Sequence, residues 1–426
     1  MPSIRFTDPS FTRGNPSTSG PVDVAGLDMT LATPMATKPK LMLIGQNYMI
    51  RVNREKAVHL ARHFHVRVCT CDSQGCIVLG RKVVDTQPES HAAVYELQRL
   101  VRWPRWQNHT NLVFRGLRAE IADFKPDVIL VENEPWSWLR WQARWSAWRA
   151  APNARFAEFT WENVARPGIK GWLLRLIYRA AAATGGQVIC GNKSAQEICI
   201  VAGFPKEQTM VGAQLGIDLS DYQPASTAAR DAWRRELGWP AEAKVLGFCG
   251  RLVEEKGLLE LVAAAQSLRP KHPDLRLAIV GEGVLRQQLE TSDPTGEWLK
   301  ILPAVRHEAV PAFLDKLDLF ILPSKPLKQT NGKAWEEQFG HVLIEAMACG
   351  VLTLGSDSGA IPEVLDDPSV TFRHSDVTDL AAVIDHWLTH DLERAAKAAE
   401  QRRQCAMRWT HEAVAHTYAN FLNAVR

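Results

Sequence analysis

Two short segments carry side chains whose types and spacing suit anion chemistry. In the first, VLGFCGRLVEEKGLLELV, an apolar run leads into Gly250, Arg251 and Lys256, and a helical pattern opens near Gly257. Two cations at a helix start oppose the helix dipole, at a cost of about 0.3 to 1 kcal/mol each unless an anion offsets it. A diphosphate would do so, and could also accept hydrogen bonds from the first amides of the helix. Solvated loop charges are the alternative. In the second segment, EEQFGHVLIEAMACGV, Phe339 and Gly340 open a helix that Gly350 can end, with Glu337 before it and Glu345 inside it. Helical side chains lean back toward the helix start, so the Glu345 carboxylate can approach a ligand held there. A carboxylate among Val342, Leu343, Ile344, Ala346 and Met347 must find hydrogen-bond donors. The two hydroxyls of a ribose suit it; a core acid paired with a basic side chain is the alternative. Glu337 can accept from sugar hydroxyls while the amides between the two acids hold a pyrophosphate.

The elements that must position these groups alternate. Short apolar runs predict strands over 41–45, 66–71, 127–132 and 187–190, with helices over 54–63 and 193–202, the latter ended by Gly203. After a loop holding Gly216 and Pro224, where we place the domain junction, strands follow over 244–249, 275–280, 318–322 and 351–354. This βαβ rhythm implies two α/β, doubly wound, Rossmann-like halves facing a central cleft at the carboxyl ends of both sheets. Residues 1–38, rich in Ser, Thr, Pro and Gly, read as a disordered tail.

Composition narrows the partners. A formal charge of +3 over 426 residues gives no basic field for nucleic acid. The eight cysteines are scattered, and Cys69, Cys71 and Cys76 lack zinc spacing, which favours reduced thiols and no metal. The best apolar run, 172–190, is broken by Arg175 and Arg179, so no transmembrane span is expected. With no leader pattern at the N-terminus, the reading is a cytoplasmic protein.

At this point the sequence resembles glycosyltransferase family 4. Glu337 and Glu345 form that family's E-x7-E pattern, and Gly250, Arg251, Lys256 and Gly257 match its GR…EKG motif. Val280, Gly281, Glu282 and Gly283 match its VGxG turn, and the run from Ser358 to Val364 its GGxPEVI-like segment. The resemblance implies a GT-B architecture: an acceptor domain over 39–222, a donor domain over 223–404, and a crossing helix within 405–426 that completes the first domain. It implies retaining transfer of a hexosyl-type sugar from a UDP-, GDP- or ADP-linked donor, without metal or other cofactor, to a glycan, glycolipid or related acceptor, as in polysaccharide biosynthesis. Under it Arg251 and Lys256 clamp the diphosphate, Glu337 binds the sugar, Glu345 the ribose, and the Phe339, Gly340 and His341 backbone cradles phosphate. The backbone near Val305 and Arg306 borders the base, with an exposed loop arginine the preferred reading of the Arg306 side chain, and Gly281 and Gly283 shape the donor side. A catalytically silent nucleotide-sugar-binding protein is the competing reading.

The pattern departs in the first half. Where the family commonly has His-Glu-Pro, this chain has Val131, Glu132, Asn133, Glu134, Pro135. Asn133 exchanges hydrogen bonds but cannot act as a proton carrier. A front-face mechanism, in which the leaving phosphate helps deprotonate the acceptor, tolerates this. Glu132 and Glu134 are alternative sugar or acceptor contacts, and Gly45 permits close backbone approach. Asn53, Arg54 and Lys56 read as a solvated helix start, with an anionic acceptor as the other option. Trp138, Trp141, Trp145 and Trp148 form a stripe beside Arg140 and Arg144. Packing against the first sheet is preferred for it, because such a sheet needs both faces covered. The alternative is a membrane interface, which leaves peripheral association with the inner membrane face open; RWPRW over 102–106 has the same character. The loop 324–335, with Lys325, Lys328 and Lys333, could close over phosphate or be merely solvated.

Overall fold

Apolar runs too short for helices and unbroken by polar residues can bury only as central strands of a parallel sheet, and the chain builds two such sheets. The computed structural model describes residues 38–71, 77–78, 81–82, 94–103, 112–328 and 334–424, and residues 38–426 form one compact unit. The expected tail, apart from Lys38, lies outside the described residues, as do Cys76, residues 104–106 and Lys333. The first sheet contains β1 (Lys40–Ile44), β2 (His65–Cys71), β3 (Glu96–Leu100), β4 (Val128–Val131), β5 (Arg155–Thr160), β6 (Gln187–Cys190) and β7 (Thr209–Val211). Its order is β3-β2-β1-β4-β5-β6-β7, all parallel. The second contains β8 (Lys244–Cys249), β9 (Leu275–Val280), β10 (Leu299–Leu302), β11 (Leu319–Leu322), β12 (Leu352–Ser356) and β13 (Thr371–Phe372). Its order, β10-β9-β8-β11-β12-β13, repeats the reversal of direction beside the first strand that opens a crevice at the carboxyl edge.

Alternation along each strand feeds two cores. Leu41, Leu43, Val66 and Val68 join a cluster that runs on through Ala213, Ile217 and Tyr222 into the second sheet. Met42, Ile44, Cys69 and Val131 face the other side, against Leu139, Ala143 and Ala147. The junction and the C-terminal segment cross together: Ile217 pairs with Thr410, and a Cβ on Gly216 would fall 2.4 Å from the His411 nitrogen, so only glycine fits. Helix His411–Ala424 then lies on the first sheet's side, where Gln187 Nε2 donates to the Phe421 carbonyl at 2.6 Å and the His59 and His411 rings stack at 5.9 Å.

Two expectations are overturned. Helix Trp138–Ala150 turns Leu139, Ala143 and Ala147 to the sheet and leaves Trp138, Trp145 and Trp148 exposed by 64, 49 and 61 %. Small residues at helical spacing let the helix approach closely, so the tryptophans are not needed to cover the sheet. Arg54 and Lys56 are not solvated but 1 and 0 % exposed, because the chain enters helix Glu55–Leu60 through tight 3-10 turns under the crossing helix.

Candidate functional site

The GR loop leaves β8 and is stitched to the turn after β9. Gly250 N donates to the Val280 carbonyl at 3.0 Å and Leu252 N to the Glu282 carbonyl at 2.9 Å. A Cβ on Gly281 would sit 1.9 Å from Gly250 O, and one on Gly283 would sit 2.2 Å from Leu252 O. These two glycines therefore let the two loops touch. Arg251 projects from this platform with its side chain 53 % exposed, tethered to Glu255 at 3.2 Å. Helix Leu258–Leu268 begins at Gly257, whose φ of 63° lets the backbone pass the Pro323 carbonyl.

Lys256, one residue before that turn, reaches across to Glu337. Its Nζ donates to Glu337 Oε2 at 2.5 Å and stands 4.9 Å over the Trp335 ring, while Ser324 Oγ donates to the same carboxylate oxygen at 2.7 Å. Both partners are largely buried, and the Glu337 backbone is braced by Ala360 N at 2.9 Å. Gly359 lies against it so closely that a Cβ would be 2.2 Å from Glu337 O. That assigns the SGAIPEV run a supporting role.

Three residues on, Gly340 turns with φ 74° and helix His341–Ala348 starts. Leu343 N already donates to the Gly340 carbonyl at 2.8 Å, but the amides before it lack an acceptor within the helix, which makes this start a place for anionic oxygen. Glu345 does lean back: its Oε1 meets His341 Nδ1 at 3.2 Å, the Tyr222 hydroxyl at 3.3 Å and His307 Nδ1 at 3.7 Å. Burial pushes this carboxyl up, but the His341 hydrogen bond and charge, with His307 and Tyr222 behind them, prevail and hold it below the usual carboxylate range. All three contacts fall on one oxygen. Val305 and Arg306 are exposed, just before His307, with Arg306 tied to Glu308 at 3.4 Å.

On the opposite sheet the acids part company. Glu132 is withdrawn into a buried network, ion-paired with Lys56 and accepting from Asn47 Nδ2 at 2.7 Å and Gln214 Nε2 at 3.2 Å. Glu134 accepts from Thr160 Oγ1 at 2.5 Å and Trp161 N at 2.9 Å, and burial pushes its pKa up to about 7 against those bonds. Asn133 is partly exposed and accepts from Glu134 N at 3.0 Å. Gly45, hydrogen-bonded to the Cys69 carbonyl at 3.1 Å, has Asn47 packed where a Cβ would be.

Thus Lys256, Glu337, the Phe339–His341 turn and Glu345 come together on the second sheet, with Arg251 on the adjoining loop. Asn133 and Glu134 stand at the carboxyl edge of the first. The Glu337 loop is fastened across the gap: Asn192 Nδ2 donates to Gln338 O at 2.9 Å, Gln338 Nε2 to Trp161 O at 3.0 Å, and Asn163 Nδ2 to Glu337 O at 3.4 Å. Phe339 joins this seam, its ring 6.1 Å from Trp161 and 5.3 Å from Trp409. Sequence reasoning missed Ser324, Tyr222, His307 and the Trp161–Asn163 clasp. Ser324 alone carried a signal, as a polar residue closing a buried strand. Lys325 pairs with Glu260 at 2.6 Å rather than facing the gap. The described cysteines are all free, and no helix among the described residues is long and apolar enough to cross a membrane.

Residues 229–405 match the family described as "Glycosyl transferases group 1". The chain is similar to the GDP-mannose-dependent monoacylated alpha-(1-6)-phosphatidylinositol monomannoside mannosyltransferase of Corynebacterium glutamicum, 27% identical over 226 residues, 52% of this chain and 58% of that protein. It is also similar to the D-inositol 3-phosphate glycosyltransferase of Corynebacterium jeikeium, 32% identical over 161 residues, 35% of this chain and 36% of that protein. The match spans less than two thirds of either relative's length. Among solved structures, Anabaena Alr3699/HepE in complex with UDP is similar with a TM-score of 0.63 at 18% identity, over 91% of this chain and 100% of that one. Sucrose-phosphate synthase from Thermosynechococcus elongatus is similar with a TM-score of 0.64 at 18% identity, over 91% and 99%. At such identities the likeness concerns the fold. Residues 229–405 thus match a group 1 glycosyltransferase domain, and the chain as a whole shares the two-sheet GT-B fold of its structural neighbours.

Proposed function

We propose that the protein is a glycosyltransferase that moves a sugar from a nucleoside-diphosphate sugar to a glycan or lipid-linked acceptor, with retention and without a metal. The observation that carries this reading is the buried Lys256–Glu337 contact, clamped by Ser324 and set against the helix start at Gly340. A lysine so placed can donate to a phosphate with one proton and to Glu337 with another, which leaves the second oxygen of Glu337 for sugar hydroxyls. Arg251, tethered but exposed, is free to swing onto the same diphosphate. Two cations and a helix N-terminus stabilise the charge that develops on the leaving group, the role a divalent ion fills elsewhere. With Glu345 Oε1 engaged by three neighbours, Oε2 is the oxygen available to ribose. The UDP in the Anabaena neighbour and the GDP-mannose in the Corynebacterium relative's name support a nucleotide donor, and the phosphatidylinositol in that name supports a lipid-linked acceptor.

No residue at the edge of the first sheet acts as a base in this scheme. Asn133 cannot, and both Glu134 oxygens are engaged by Thr160 and Trp161. The leaving phosphate oxygen takes the acceptor proton on the face from which it departs, so configuration is kept. The test is to incubate the chain with UDP-, GDP- and ADP-sugars and candidate acceptors, and to read the product's anomeric configuration by NMR. We expect retained product with at least one donor, unchanged by EDTA, and a loss of about a hundredfold or more in Glu337→Gln. Inverted product, EDTA sensitivity or undiminished turnover in that variant would contradict the scheme.

A further inference from the structure

Helix Gly168–Ala183 shows solvent an apolar strip. Ile169 is 79 % exposed, Trp172 53 %, Leu173 49 %, Leu176 40 % and Ile177 37 %. At 3.6 residues per turn these five fall within an arc of about 140°, while Gly171, Tyr178 and Ala181 on the far side pack inward. Lys170 borders the strip on one side and Arg175 and Arg179 on the other, all three exposed, and the helix contains no Asp or Glu. A folded chain gains nothing by leaving so much hydrocarbon in water, and the largest apolar patches of soluble proteins mark contact surfaces.

The neighbouring helix, Trp138–Ala150, extends this surface and is bolted to it. Arg140 Nη2 donates to the Ala181 carbonyl at 3.1 Å and to Thr184 Oγ1 at 2.8 Å, and Trp141 packs on the cluster that holds Tyr178. Trp145 and Trp148 remain exposed, with the Arg149 guanidinium 5.3 and 4.9 Å from their rings. This helix also lacks acids. Indoles beside arginines suit the boundary between headgroup and acyl chain, where the ring is buried and the cation meets phosphate.

We propose that these two helices dock the protein on an anionic lipid bilayer. Charge decides between a bilayer and an apolar protein partner: the helix has cations on both borders and no acid of its own, and of the two acids in the recess beside Arg175 and Arg179, Glu162 is paired with Arg166 at 3.1 Å. That leaves Glu197 against three helix cations, a balance that matches a negative surface and would repel a second copy of the same face. The position of the helix gives the docking a purpose. It starts five residues after Asn163, whose Nδ2 touches the Glu337 carbonyl, so Ile169 and Trp172 lie near the edge where the two sheets meet. Docking there brings the mouth of the cleft to the membrane; that this serves a lipid-linked acceptor rests on the transfer reading above, whereas docking itself does not.

The experiment is co-sedimentation of the full chain with vesicles of phosphatidylcholine containing phosphatidylglycerol, and with pure phosphatidylcholine, in the absence of any sugar nucleotide. We expect binding to the anionic vesicles that weakens with salt and is at least about tenfold weaker on the neutral ones. Trp172→Ser with Leu176→Ser, and separately Arg175→Gln with Arg179→Gln, should each reduce partitioning about tenfold or more at unchanged melting temperature, since all four side chains are exposed. Failure to bind either vesicle, or variants that bind like wild type, would overturn the proposal. So would a dimer seen by light scattering that the Trp172→Ser/Leu176→Ser variant dissolves without any vesicle binding, which would make the face an interface between copies. None of these readings depends on whether sugar is transferred.

Discussion

Glu134 shows how strongly burial acts on a single residue here. It stands three residues beyond the central strand of the first sheet, accepts two hydrogen bonds, and still has its pKa pushed up to about 7. A carboxyl whose folded pKa lies above its unfolded value binds its proton more tightly in the native state. Its contribution to stability is therefore full below the unfolded pKa and is lost as pH rises toward 7. We expect thermal melts from about pH 5 to about pH 8 to show wild type losing on the order of 2 kcal/mol relative to Glu134→Gln, levelling off above pH 7; parallel pH profiles would contradict the assignment. The residues legible in the sequence were those whose environment is local. Glu337 and Glu345 bracket one helix start, so their spacing alone sets them around it. Ser324 and Tyr222 reach those same carboxylates from a strand end and from the domain junction, 13 and 123 residues away; a polar residue after a buried strand marks Ser324, but nothing local announces the partner of either. Glu132 illustrates the converse: the strand was expected over 127–132 and ends at Val131, and the turn of the Glu132 side chain inward to Lys56 depends on tertiary packing.

Among the elements, long uninterrupted apolar runs were easiest to recognise. Strands β6, β8 and β9 have the bounds their sequences suggest, because each is a largely buried apolar run whose one polar side chain, Gln187, Lys244 or Arg276, stands at or next to its start. The edge strands β3 and β13 went unseen: one alternates polar and apolar residues and the other is two residues long. The tryptophan stripe misled because helical spacing identifies a face without saying which of two faces goes inward, and Leu139, Ala143 and Ala147 won the sheet. The helix Glu55–Leu60 was likewise read as solvated, although Lys56 is enclosed by Glu132, the Gln214 carbonyl and the Tyr418 ring. Removing one partner of a buried ion pair costs about 3 to 5 kcal/mol, whereas removing both costs much less. Lys56→Met should therefore lower the denaturant midpoint sharply, and Lys56→Met combined with Glu132→Gln should recover most of that loss. Additive effects of the two changes would show that the pair is not a unit.

At the scale of the whole molecule, two sheets with the same reversal of strand order face each other at their carboxyl edges, held by the double crossing at Ile217 and Thr410. The residues we propose for the donor sit on elements fixed to the second sheet, and the loop bearing Glu337 is also gripped by Asn163 and Asn192 of the first half. A ligand that inserts at the Gly340 helix start thus meets a surface assembled from both halves. The claim on which the proposed function depends is that Arg251, Lys256, Glu345 and that helix start receive a nucleoside diphosphate. Calorimetric titration of UDP, GDP and ADP into wild type and Arg251→Ala tests it most directly, because Arg251 is exposed and its loss leaves the fold intact. The account predicts that at least one of the three binds wild type and binds the variant about tenfold or more weakly; equal affinity in the two proteins, or no binding of any of the three, would contradict it.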